Sequence, residues 1–236
     1  MGALPGGSVL SNHAGGVAGW FDVDPFRTAG RRVVVRSVDR AVLVLGSTQS
    51  AWVAEPSRLR AAGVELARRR SGGGAVLLEP GAQTWVDVWV PRDDPLWEVE
   101  PRRSAERVGE WWAASLPAGP AREDARVHRG TPTPGPSGDL VCFAGVAAGE
   151  VVVRGRKLVG LAQWRSREGA LVHGCAYRSW DPGRILALLD PVDTRHLGAS
   201  LAGVATGLDD VGAPDWTAER LVAALPEPGS WQVCWA

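Results

Sequence analysis

Arg68-Arg69-Arg70-Ser71-Gly72-Gly73-Gly74-Ala75-Val76 lies between two strand-like runs, Val64 to Leu66 before it and Ala75 to Leu78 after it. Three consecutive glycines leave backbone N–H groups unshielded by side chains, so an anion can approach them closely, and the neighbouring arginines can neutralise it. A phosphate or a carboxylate fits that description. The segment is not a Walker loop, because no Lys-Ser/Thr follows the glycines, and it lacks the GxGxxG spacing of a dinucleotide fingerprint. A glycine-rich turn with a purely structural role is the competing reading.

Working outward, Val33 to Arg36 and Ala41 to Leu45 are short apolar runs that read as paired strands. The loop Gly46-Ser47-Thr48-Gln49 follows, then a short helix over Pro56 to Ala62 that Gly63 can close. Trp85, Asp87 and Trp89 alternate with Val86, Val88 and Val90, the two-residue period of a strand that Pro91 ends. Arg103 to Leu116 carries Val108, Trp111, Trp112 and Leu116 at helical spacing, so this helix should cover one face of a sheet. Thr131 to Gly138 (TPTPGPSG) is a turn-forming loop. From Leu140 to Tyr177 the pattern is strand after strand: LVCFA, EVVVRG, RKLVGLAQWR and ALVHGCAY. Helices are expected near Pro182 to Leu189 and Thr217 to Ala224, and a terminal strand near Trp231 to Trp235. Residues 1–30 are Gly-rich and aperiodic, a loosely structured lead-in with early helix only around Val17 to Phe21. The sum is a single mixed α+β domain over 31–236, with a mixed sheet flanked by helices.

Composition narrows the partners. A chain of 236 residues buries a large core without disulfides or metals. Its formal net charge is +0 with both signs interspersed, so there is no basic stripe and nucleic acid is excluded as a partner. No apolar run reaches membrane-spanning length, and the start MGALPGGSVLSNHAGG lacks both a basic head and an apolar signal core, so a cytoplasmic protein with no membrane partner is expected. The three cysteines, Cys142, Cys175 and Cys234, fit no paired metal-ligand spacing and suit free thiols in a reducing compartment.

Basic residues are lopsided: of the 26, only Lys157 is a lysine. Arginine can replace a surface lysine, but not one whose compact ammonium is needed at a reacting centre. Lys157 leads a strand after a tight turn, in Gly155-Arg156-Lys157-Leu158-Val159-Gly160-Leu161-Ala162-Gln163. Beside a pocket it could hold an acyl carbonyl or a phosphate in the transition state; otherwise it is a solvated hairpin lysine. Cys142 is either a nucleophile brought near Lys157 by one hairpin or core filler between Val141 and Phe143. His173 is either a polar orienter or a satisfied, half-buried histidine.

Together these elements resemble one family. RRRSGGGAV is similar to the Arg-Arg-x-Ser/Thr-Gly-Gly-Gly-Ala-Val signature of lipoate-protein ligase catalytic domains, matched by Arg68, Arg69, Ser71, Gly72, Gly73, Gly74, Ala75 and Val76. GRKLVGLAQ resembles the family's Gly-x-Lys-Ile/Val-x-Gly-Ser-Ala-Gln strand, which maps its lysine onto Lys157 and adds Gly160 and Ala162. LVHG resembles the following His-Gly strand at His173 and Gly174, and Leu45 to Gln49 the upstream Leu-Gly-x-x-Gln loop, adding Gln49. The four motifs run in the family's order across residues 45–174, about half of the chain.

The resemblance implies the mixed-sheet fold shared by biotin and lipoate ligases and class II synthetases, with a tunnel for an octanoyl or lipoyl chain. The glycine loop would line that tunnel and Lys157 would sit at its carboxyl end. It also implies two chemistries: octanoyltransferases that carry the acyl group on a cysteine and need no cofactor, and ligases that use ATP and Mg²⁺ to make lipoyl-adenylate. Cys142-Phe143 is similar to the acyl-accepting Cys-Phe segment of one transferase group, so transfer onto a carrier lysine is expected, with Lys157 and Cys142 catalytic and no metal. Expected partners are octanoyl-acyl carrier protein or lipoate, and the lipoyl domains of 2-oxoacid dehydrogenases or a glycine-cleavage H-type protein. An ATP-dependent ligase and a non-catalytic acyl- or carrier-binding module remain as alternatives. Three departures touch the expected pocket wall: Leu161 in place of Ser, Cys175 in place of Ser or Thr, and Leu78-Glu79-Pro80 in place of aromatic-His-Asp. No accessory domain is expected after residue 236, which favours transfer over a self-sufficient ligase.

Overall fold

The computed structural model describes residues 16–22, 29–137, 139–190, 194–227 and 229–236. Among the described residues, ten strands form two sheets. They are β1 (Arg32–Arg36), β2 (Val42–Leu45), β3 (Glu65–Arg68), β4 (Val76–Leu78), β5 (Gln83–Pro91), β6 (Ala125–Val127), β7 (Val151–Val153), β8 (Arg156–Arg165), β9 (Gly169–Tyr177) and β10 (Gln232–Trp235). The larger sheet runs β10-β1-β5-β9-β8-β7-β6, antiparallel except for the β1/β10 pair; the smaller runs β3-β2-β4. The helices are α1 (Gly16–Asp22), α2 (Pro56–Ala62), α3 (Pro101–Ser115), α4 (Pro120–Glu123), α5 (Pro182–Leu186), α6 (Thr194–Val204) and α7 (Ala218–Ala223). This is the mixed α+β architecture that the patterns imply. Among the described residues no helix is long and apolar enough to cross a membrane.

Three expectations differ from the structure, each for a physical reason. β1 and β2 are not partners: the residues between them carry the chain from the large sheet to the small one. All four residues of β2 are buried, a pattern that demands neighbours on both edges and cover on both faces, and β3 and β4 supply the edges. LVCFA is not a strand. Val141 makes a single bridge to Ala75, after which Cys142–Ala144 tightens into a 3-10 turn. Helix α6 and the short β6 carry no alternation or capping signal strong enough to have been read. Of the expected lead-in, the helix around Val17 to Phe21 is present as α1; residues 1–15 and 23–28 lie outside the described residues, as does Gly138 of the proline-rich loop.

Two apolar layers sandwich the large sheet. On one face α3 lays Val108, Trp111 and Trp112 against Val86, Val88, Val159 and Val172, and Trp112 stacks on Trp216 with ring centroids 5.1 Å apart. On the other face Phe21 of α1 meets Trp85 edge-on at 6.0 Å. Strand β8 serves both faces through a bulge. Its pairing with β7 slips between Val151 and Val152, so the consecutive residues Leu158 and Val159 both enter the α3 layer. Strict alternation would have put Lys157 on the α3 face with Val159; the extra residue turns it to the opposite face, where the Cβ position of Gly160 is 3.2 Å from Lys157 Cε.

The same alternation corrects one expected binding residue. Gly174 faces α3, not the pocket: a Cβ there would lie 2.5 Å from Trp112 Nε1. It is a close-packing glycine, whereas its neighbours His173 and Cys175 point the other way. Gly174→Val should therefore cost about 1–3 kcal/mol of stability by overpacking, read as a lower Tm, with ligand affinity at the opposite face preserved at temperatures where the variant is folded.

Candidate active site

The bulge in β8 delivers Lys157 into the interior at 1% exposure. Its ammonium donates to the backbone carbonyls of Cys142 (2.7 Å) and Gly145 (3.1 Å) and pairs with Glu150 Oε1 at 2.6 Å. All three of its donors thus have an acceptor. The Phe143 ring lies 5.1 Å from Nζ. Glu150 is equally buried and fully satisfied, accepting from Leu161 N at Oε1 (3.0 Å) and from Ala147 N at Oε2 (2.8 Å). Lys157 is no solvated hairpin lysine. Its partner Glu150 went unread in the sequence, although it is the only acidic residue between Asp139 and Glu168 and precedes the same hairpin.

Cys142 opens the 3-10 turn that Lys157 grips, and its side chain is half-buried. The turn is pressed against the glycine loop. Cys142 N donates to Ala75 O (3.0 Å), and Ala75 N to Leu140 O (2.9 Å). A Cβ on Gly74 would come within 2.6 Å of Cys142 N, and Gly73, at φ +94°, places its Cβ position 4.0 Å from Cys142 Sγ. Both glycines are therefore required, one for space and one for conformation. Gly72 is exposed in the same loop, and Ala75 is buried beneath it.

The arginines of the motif do something other than expected. Arg69 is 1% exposed and sits behind the loop, donating from Nη2 to Gly72 O (2.7 Å) and Gly74 O (2.8 Å). Burial draws its pKa below the ordinary arginine value. Arg68 Nη1 donates to Gly46 O (2.8 Å) and Gln49 O (2.6 Å). Both guanidiniums hold backbone carbonyls, and Arg69 Nε is left without a partner among the described residues. Gln49 completes the brace: its Nε2 reaches Asp139 O (2.9 Å) and Leu140 O (3.1 Å), and its Oε1 accepts from Gly46 N. The hydroxyl of Ser71 is buried without a partner among the described residues.

Two spaces meet at Cys142. One is an open cleft of about 230 Å³ whose walls include Gly73, Gly74, Pro134, Cys142, Glu150 and Lys157. The other is small, about 10 Å³, between Cys142, Phe143, Trp85, Gly160, Ala162 and His173. His173 is 4% exposed, and its Nδ1 is 2.6 Å from Asp87 Oδ1. Asp87 also accepts from Trp85 Nε1 (2.7 Å) and Arg36 Nε (2.9 Å). Burial alone would raise the Asp87 pKa, but Arg36 and His173 outweigh it and hold the carboxyl well below the usual carboxylate range. Cys175 is the opposite case: burial, reinforced by Cys142, pushes its thiol far above the ordinary value, so it stays protonated. Among the described residues no group of three or more His, Cys, Asp and Glu is placed to hold a metal ion.

The structure therefore brings Lys157, Cys142, Gly73, Gly74, Gly160, Ala162 and His173 to one locus, with Arg68, Arg69 and Gln49 bracing it from behind and Gly174 on the far face. Comparison with solved structures finds the same fold. A Thermoplasma acidophilum lipoate protein ligase with bound lipoic acid superposes at TM-score 0.60 and 18% identity, over 89% of this chain and 79% of that one. A bi-partite lipoate protein ligase of the same organism, studied with its E2 lipoyl domain, gives 0.60 and 18%, over 85% and 72%. Lipoate-protein ligase A bound with ATP gives 0.55 and 20%, over 86% and 74%. No curated protein sequence matches significantly. The family model for the lipoyl protein ligase A/B catalytic domain matches residues 27–227, most of the chain, and the chain belongs to that family.

Proposed function

We propose that this protein is a cysteine-type acyltransferase of the cytoplasm, moving an octanoyl or lipoyl group from a thioester donor to a lysine of a lipoyl carrier domain. The observation that carries the reading is the pairing of Cys142 and Lys157: a half-buried cysteine lining an open cleft, on a turn whose carbonyl is held by a buried ammonium. The similar T. acidophilum ligase and its E2 lipoyl domain make a lipoyl domain the natural acceptor class, and acyl carrier protein is the proposed donor.

In this scheme the Cys142 thiolate attacks the donor carbonyl. A new C–S bond forms, the donor's C–S bond breaks, and the departing thiol takes up the proton that Cys142 gave. The ε-amine of the acceptor lysine then attacks the enzyme thioester, forming the amide and returning a proton to Cys142. In this scheme Lys157 exchanges one of its two carbonyl acceptors for the acyl oxygen that becomes negative in both steps, while Glu150 keeps the ammonium charged and in place. Within the alternative ligase reading, the exposed backbone N–H groups of the glycine loop would be the groups to meet the phosphates of ATP, which a structurally similar lipoate-protein ligase A binds.

Two experiments test the proposal. Incubated with octanoyl-carrier protein and no acceptor, the protein should gain an octanoyl mass on Cys142 that hydroxylamine removes, and Cys142→Ser should abolish transfer. Normal turnover by that variant, with pyrophosphate released from ATP only when lipoate is present, would replace transfer with the ligase chemistry; binding without any modification of a carrier would leave a non-catalytic module.

The second concerns the buried pair. Lys157→Ala strands the Glu150 carboxylate and should cost about 3–5 kcal/mol of stability as well as activity. Lys157→Met combined with Glu150→Gln should recover most of the Tm while activity stays at least about two orders of magnitude down, because the charge is still missing. An active double variant would remove Lys157 from the chemistry. Lys157→Arg should fail as well, the planar fork being too broad for this enclosure.

A further inference from the structure

Attack by a lysine on a thioester must dispose of two protons, because the side chain arrives as an ammonium and leaves as an amide N–H. The departing sulfur of Cys142 takes one. The other needs a base at the site. Lys157 is an ammonium with no lone pair, and Glu150 is ion-paired to it with a backbone N–H on each of its oxygens. His173 is 4% exposed and hydrogen-bonded to Asp87. The remaining carboxylate on the walls of the open cleft is Asp139, in the segment leading to Cys142. Asp139 is exposed, and its side chain makes no hydrogen bond or ion pair with the described residues. Its backbone is fixed by Gln49 Nε2, which holds Asp139 O at 2.9 Å. Asp139 also lines a second open cleft of about 410 Å³, between Thr48, Gln49, Val53 and Leu140, which shares Gly73 with the first. The Cβ position of Gly73 is 4.0 Å from Cys142 Sγ, so two approaches to the sulfur meet beside Asp139.

We infer that Asp139 receives the acceptor lysine: the ammonium enters along the second cleft, docks on this carboxylate, and gives it a proton as the C–N bond forms at the Cys142 thioester. This rests on the acyl-transfer reading of the site. In the step the lysine ammonium becomes an amide N–H and the C–S bond to Cys142 breaks. One proton goes to the departing sulfur and the other to Asp139, which sheds it to the water of the open cleft. Charge selects the occupant. A free carboxylate attracts a cation and repels an anionic donor arm, and no other charged residue among those described lines the second cleft. The titratable and charged groups around Asp139 are Cys142, Glu150 and Lys157 in the first cleft, with Arg69 behind Gly73 and Arg68 on the Gly46–Gln49 segment. Lys157 and Glu150 neutralise each other, and both arginines are held on carbonyls, so Asp139 is the charge presented to an incoming side chain.

Asp139→Asn tests this in separate half-reactions on the full chain. Octanoyl-carrier protein should load Cys142 of the variant as fast as it loads the native protein, read by mass. Transfer from that thioester to an E2 lipoyl domain should fall about a hundredfold at neutral pH, the usual contribution of a positioned base. Hydroxylamine is already neutral there, so its cleavage of the thioester should be unchanged, and Asp139→Glu should recover part of the transfer. Raising the pH toward the lysine's own pKa supplies neutral amine from solution, so the deficit of the Asn variant should narrow. Undiminished transfer to the lipoyl domain, a deficit that ignores pH, or an equal fall in loading, hydroxylamine cleavage and transfer would overturn the inference. If the native protein gains no octanoyl group but modifies the lipoyl domain with ATP and lipoate, the transfer reading falls. The same substitution then tests Asp139 on that route, where the acceptor lysine must still lose its protons. Modification by neither route overturns both.

Discussion

The site depends on one buried ion pair. Lys157 and Glu150 meet at 2.6 Å with 2% exposure each, a situation in which withdrawal of charge from water is repaid only if every remaining donor and acceptor is satisfied. The structure meets that condition in full. Two backbone carbonyls take the other ammonium hydrogens, and two backbone N–H groups serve the carboxylate. These partners come from three separate segments that the pair ties together. The 3-10 turn at Cys142, the chain at Gly145 to Ala147 and the bulged start of β8 are all shaped around the pair. Fold and chemistry thus share a single constraint: the turn that presents the thiol is the one that solvates the lysine.

The glycine loop obeys a related logic. Unshielded N–H groups suit an anion only if the loop does not collapse, and here three polar side chains prevent collapse. Arg69 ties the loop from below, Arg68 ties the neighbouring Gly46–Gln49 segment, and Gln49 bridges that segment to Asp139 and Leu140. Arginine suits such work because its planar fork reaches several carbonyls at once.

Much of this was legible in the sequence and some was not. RRRSGGGAV, the solitary lysine and the His-Gly strand identified the fold because such motifs report backbone geometry and reacting groups, both of which are local. Trp85 to Val90 gave β5 its strand, and Val108 to Leu116 gave α3 its buried stripe, because periodicity is local too. The bracing by Arg69 was not legible because a guanidinium looks the same in sequence whether it meets a ligand or a carbonyl of its own loop. Gly174 was misplaced because motif membership says nothing about which face of a strand a residue occupies. Glu150 escaped notice because the bulge that sets it opposite Lys157 has no sequence signature, and Asp87 because its partners Arg36 and His173 are brought to it only by pairing across three strands.

Phe143 follows Cys142 directly, and its ring is stacked on Trp180 at 5.3 Å and set edge-on to Tyr177 at 4.9 Å. The Trp180 indole in turn holds Leu201 O on α6. The contacts run without a break from the turn at Cys142 to an indole and a surface helix, so under the proposed chemistry an acyl group on that cysteine would alter the environment of a fluorophore and the face that bears α6.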